Sequence, residues 1–138
     1  LQVRTPAEAL ERFAPIEYGA TVRAAMAKPS PELAAGLWKL ADRQWSEVAN
    51  DPTIDQRIQR ANYLLRHETN ESAIKWIDDC LQQLPETLEL RHMRADTLEK
   101  QGKLEEAIAE WVRYEYFDPK SSLPAASIQR LIDAKNRL

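Results

Sequence analysis

Glycine, cysteine and histidine are all scarce in this chain, and each scarcity excludes something. Three glycines (Gly19, Gly36, Gly102) in 138 residues leave no room for a phosphate-cradling loop or a dinucleotide fingerprint. Two histidines and one cysteine, far apart in sequence, do not make a conventional zinc site, and no cofactor is expected. The lone Cys80 has no partner for an internal disulfide, which fits a reducing cytosol and a disulfide-free periplasmic domain alike. No run of about 18 apolar residues occurs, so no membrane span is expected. The first twenty residues lack the basic start and apolar centre of a signal peptide. Leu1 in place of Met points to a processed chain or one excised from a longer protein. Basic charge is also short: net charge is −3 and the isoelectric point is near 5.5, which argues against nucleic acid as a partner.

What remains is 43% apolar and 30% charged, with a mean hydropathy of −0.57 and one domain's length. Four Val and eight Ile are few beside the abundant Ala, Leu, Glu, Gln and Arg, a balance that favours helix over strand. Helix punctuation is frequent. Thr5-Pro6-Ala7-Glu8 reads as a capping box, and Pro15 reads as the end of that short helix. A second helix is expected from about Ile16 to Ala27, stopped by Lys28-Pro29. Ser30 then caps a longer helix in which Leu33, Leu37, Leu40, Ala41, Trp45 and Val48 recur at helical spacing, up to Asn50-Asp51-Pro52. No segment shows the alternation of a half-buried strand, so the expected class is all-α.

Residues 54–87 align with 88–121 at an offset of 34 without a gap. Arg57 falls on Arg91, Arg60 on Arg94, Ala61 on Ala95 and Leu64 on Leu98. Glu71 falls on Glu105, Ala73 on Ala107, Ile74 on Ile108, Ile77 on Trp111 and Pro85 on Pro119. Each unit reads as two helices joined by a short turn. The segment LRHMRADTLEKQGKLEEAIAEWVRYEYFDP resembles a tetratricopeptide repeat: Ala95 and Ala107 stand at close helix approaches, Gly102 at the turn, Trp111 beside them, and Asp118-Pro119 at the end. The preceding unit is similar through Ala61, Ala73 and Pro85, but Glu68 stands where the turn glycine belongs. Both units depart from the family by carrying arginines in the first helix where Trp and Leu are usual.

The resemblance implies a short right-handed α-solenoid of antiparallel helix pairs. Its layout is N-terminal helices in 1–52 (their last part a degenerate repeat), two tandem repeats in 53–120, and a capping helix in 121–138. In that last helix Ile128, Leu131, Ile132 and Leu138 are expected on one face, with Gln129, Arg130, Asp133 and Arg137 in water. The resemblance also implies that first helices line a concave groove. There Asp55, Ile58, Asn62, Leu65 and Arg66, then His92, Asp96, Glu99 and Lys100, would meet a protein or peptide partner. Arg60 and Arg94 sit beside this groove, giving two readings. Either their stems cover apolar surface while their heads pair with Asp or Glu of neighbouring helices, or they form a guanidinium ladder for an acidic partner. The first helices carry six basic against four acidic residues, and the second helices two against eight, which tilts the groove towards an acidic ligand. Asn62 matches a carboxylate-holding position of chaperone-binding relatives, yet the matching Asp96 would repel that carboxylate.

His92 is read as a surface or groove imidazole, and His67 as facing a helix C-terminal dipole. Cys80 is read as a small core residue, and Trp38 and Trp45 as core in preference to an exposed aromatic pair. Asp78-Asp79 and Glu105-Glu106 splay apart on a helix, and no nucleophile, base and orienter fall in one motif, so no catalytic role is expected. Two functions remain. One is a non-catalytic interaction module or scaffold; the other is a structural segment of a larger chain carrying further repeats, beside a secretion, polysaccharide-export or envelope-assembly enzyme.

Overall fold

The computed structural model describes residues 6–27 and 30–138, with side chains from residue 17 onward. Seven helices and no strand occur among them: α1 (Pro6–Ala27), α2 (Pro31–Val48), α3 (Ile54–His67), α4 (Asn70–Gln83), α5 (Leu88–Lys100), α6 (Leu104–Phe117) and α7 (Leu123–Asn136). Contacts divide the chain into two compact units, residues 1–69 and 70–138. The first expected helix pair therefore has α3 in one unit and α4 in the other, while the second pair, α5 with α6, lies within one.

In unit 1, α1 packs on both α2 and α3. Tyr18, Val22 and Ala25 of α1 are buried, as are Ala34, Trp38, Ala41 and Val48 of α2 and Ala61, Tyr63 and Leu64 of α3. Ser30 caps α2 as expected, its hydroxyl accepting from the Leu33 N–H at 3.1 Å. Leu33 is 51% exposed, however, and Ala34 takes its place on the packed stripe. Trp38 is buried and Trp45 half-buried with its ring 5.3 Å from Tyr18, so both belong to the packing. The helix expected to stop at Pro15 does not stop: α1 runs through it to Ala27, since a proline removes one ladder bond and the flanking turns carry the helix past it. The Thr5 capping box and the Lys28-Pro29 stop lie outside the described residues. Thr53 caps α3 in a reciprocal box with Gln56, Gln56 N–H donating to the Thr53 hydroxyl at 3.2 Å and Thr53 N–H to the Gln56 side-chain carbonyl at 2.8 Å.

In unit 2 the packed pairs are α4 with α5, α5 with α6, and α6 with α7. Arg91 meets Glu110 near one end of the α5–α6 pair and Leu98 clusters with Ala107 towards the other, so the two helices run antiparallel. Gly102 turns between them at φ 76°, a backbone conformation that a Cβ would strain. At the α3–α4 turn Glu68 has φ −114°, so no glycine is needed there. The core gathers Ala95, Leu98, Ala107, Trp111 and Leu131, with Ile74, Leu104, Ile108, Tyr114 and Ile128 against it. Cys80 is buried. The last helix, α7, packs on α6 and buries Pro124, Ser127 and Leu131. Ile132 is 37% and Leu138 96% exposed, so the stripe is narrower than the sequence pattern implied.

Candidate functional site

Helical periodicity gives α5 two faces of different chemistry. Leu90, Arg91, Ala95, Thr97 and Leu98 are buried. About half a turn away, His92, Asp96 and Lys100 share an outward strip at i, i+4 and i+8. The His92 Nε2 lies 3.2 Å from the Asp96 carboxylate, and its ring packs 5.0 Å from Trp111. Glu99, at the edge of this strip, pairs with Arg130 of α7. Burial alone would lower the Arg130 guanidinium, but its hydrogen bond to Glu99 is the larger cause and raises it.

On α3, Asp55, Ile58, Asn62 and Arg66 follow the i, i+3, i+7, i+11 spacing of one strip. Asp55 and Arg66 are exposed, and Ile58, Asn62 and Leu65 half-buried. Asp55 lies 3.7 Å from Arg23 of α1 across an open surface.

Neither Arg60 nor Arg94 sits on these strips. Arg60 turns inward over the rings of Trp45 (5.1 Å) and Tyr63 (4.6 Å), with Asp42 at 3.5 Å. Tyr18 and Tyr63 nearby both have raised phenol pKa values, chiefly because burial disfavours the phenolate. Lys39, Asp42, Arg43, Tyr63 and His67 border a depression of about 430 Å³ on this side of unit 1.

Arg94 reaches between α4 and α6. Its Nε donates to Asp78 at 2.7 Å and its Nη1 to Glu110 at 2.9 Å. Burial pulls its pKa down, and the Asp78 and Glu110 carboxylates outweigh that to raise it. Arg91 donates through Nη1 to Glu110 at 2.7 Å and through Nε to the Pro85 carbonyl at 2.8 Å. Arg113 adds a third contact to Glu110 at 3.0 Å. The Glu110 side chain is 2% exposed and serves three guanidiniums at once. Arg94 and Arg60 thus pair with acidic groups of neighbouring helices, the first of the two readings weighed above.

Glu110, which the acidic pattern of the second helices puts on the outer face of α6, is instead buried, because three guanidiniums meet its carboxylate there. A signal existed: it stands three residues after Ala107 and four before Tyr114, on the packed stripe of α6, opposite arginines on the packed stripe of α5. The arginines also change the outer side of unit 2, where Arg91, Arg94 and Arg113 surround a depression of about 370 Å³ together with Asp78 and Glu110.

No group of three or more His, Cys, Asp or Glu able to hold a metal occurs among the described residues. No helix among them is long and apolar enough to cross a membrane. No known protein family matches the chain, and no significant similarity links it to a curated protein or to a solved structure.

Proposed function

We propose that the chain is a non-catalytic helical-repeat interaction module, a short tetratricopeptide-like solenoid. It takes a peptide or partner helix along the outward strip of α5. The observation that carries this reading is the division of labour on α5. Its arginines are spent inside the fold on Glu110 and Asp78, while His92, Asp96 and Lys100 stay outward on one rigid strip. A pre-formed helix with polar groups at fixed spacing offers side-chain specificity at little rearrangement cost. The comparable strip on α3 carries Asp55, Asn62 and Arg66.

A second reading, a scaffold segment of a larger assembly-type protein, is favoured by Val112 (54% exposed) and Tyr116 (79%) on α6. The test is to select peptides on the folded chain and map the tightest one by amide chemical shifts. The interaction-module reading expects shifts centred on residues 92, 96 and 100. Shifts confined to α6 around Val112 and Tyr116 would favour the scaffold reading and contradict the first.

A further inference from the structure

The arginine cluster of unit 2 holds more positive than negative charge, and it holds it in a fixed arrangement. Three guanidiniums (Arg91, Arg94, Arg113) face two carboxylates, Glu110 and Asp78. Both Glu110 oxygens are already engaged, Oε1 by Arg91 and Oε2 by Arg94 and Arg113. Glu110 therefore acts as an internal clamp that orients the arginines, and its charge is outnumbered where it lies. The side chains of Arg91 and Arg94 are 9% and 19% exposed, so their charge is weakly screened, whereas Arg113 is 55% exposed at the mouth. The depression over them, about 370 Å³, has room for a small anionic group. The planar fork of each guanidinium matches oxygen pairs on carboxylate and phosphate groups. Phe117 backs the Arg91 guanidinium at 4.9 Å, holding it further in place.

We infer that this depression is an oxyanion site, taking a phosphate or carboxylate group between Arg113 and the Arg91–Arg94 pair. A pre-oriented array loses little freedom on binding, so the ligand's charge is used efficiently. The site lies on buried-face residues of α5 and on α6, and it stands independently of the outward α5 strip.

The test follows the arginine Nε–H signals by nuclear magnetic resonance while inorganic phosphate is titrated, against sodium chloride at matched ionic strength. The expected result is a saturable shift of the Arg91, Arg94 and Arg113 signals with phosphate alone. Arg113→Gln should weaken that binding about tenfold or more, the loss of one charge-assisted contact, with the rest of the spectrum unchanged. Arg113→Lys keeps the charge without the fork and should fall between the two. A phosphoserine peptide binding more tightly than free phosphate would place the anion on a polypeptide, and equal affinity would identify a small free anion. No saturable shift, an equal response to chloride, or undiminished binding in Arg113→Gln would overturn the inference. Any of these would leave the α5 strip untouched as a candidate.

Discussion

Glu110→Ala removes the one carboxylate that three guanidiniums share, and leaves Arg91 and Arg94 largely buried with a charge deficit around them. Breaking a buried ion pair from one side costs about 3–5 kcal/mol, and that loss is expected in a urea melt of this variant. Arg113→Gln, whose side chain is half-exposed, should cost less than about 1 kcal/mol in the same experiment. Equal costs would mean that the cluster does not brace α5 against α6. The two tyrosines of unit 1 make a pH prediction. Their folded phenol pKa values lie above the ordinary value of 10.0, so the folded state keeps protons that the unfolded chain releases. Stability is then intact below about pH 10 and falls as the pH rises beyond it. Tyr18→Phe should flatten that alkaline fall, as read by thermal melts across the range; an unchanged slope would contradict the burial of Tyr18. At this scale the sequence showed which residues were unusual, the arginines above all, but not where their heads went. That depends on which residue of a neighbouring helix lies opposite, and Glu110 is nineteen positions from Arg91 along the chain.

Element boundaries were more legible, because caps and turn residues act locally. Ser30 and Gly102 do what their types dictate. The Thr53–Gln56 box is equally local, but it follows directly on Asn50-Asp51-Pro52, whose stop signal hides it in the sequence. Pro15 misled because a proline's local cost of about 3 kcal/mol does not decide a helix whose remainder packs on two neighbours. A small residue at the crossing marks the apolar side of a helix face, as Ala107 does, but not a charged residue beside it: the sequence puts Glu110 on the outer face of α6, and the structure buries it. Ala107, fully buried between α5 and α6, should tolerate no carboxylate: Ala107→Glu is expected to cost on the order of 3 kcal/mol or more. In α7, Leu131→Ala should cost about 2–4 kcal/mol and Ile132→Ala less than about 1 kcal/mol. Calorimetric melts of the pair check this, and the reverse order would mean that α7 packs by its other face.

For the molecule as a whole, the helical class was readable from composition and the 34-residue register, while the division at Thr69/Asn70 was not. The register treats α3 and α4 as one repeat, because periodicity reports where similar helices recur and not which contacts hold them together. The central claim concerns how the first helices use their two kinds of polar residue: arginines turned inward pair with buried or neighbouring carboxylates, and the outward strip of α5 is the surface proposed to meet a partner. It is tested most directly by measuring melting temperature and affinity for a selected peptide on the same samples of two variants. Arg94→Glu should melt early, on the order of 10 °C or more below the parent, through repulsion from Asp78 and Glu110. Asp96→Lys with Lys100→Glu should melt with the parent and lose the peptide. An Arg94→Glu chain of unchanged melting temperature that alone loses the peptide, beside a strip variant that still binds it, would contradict the account.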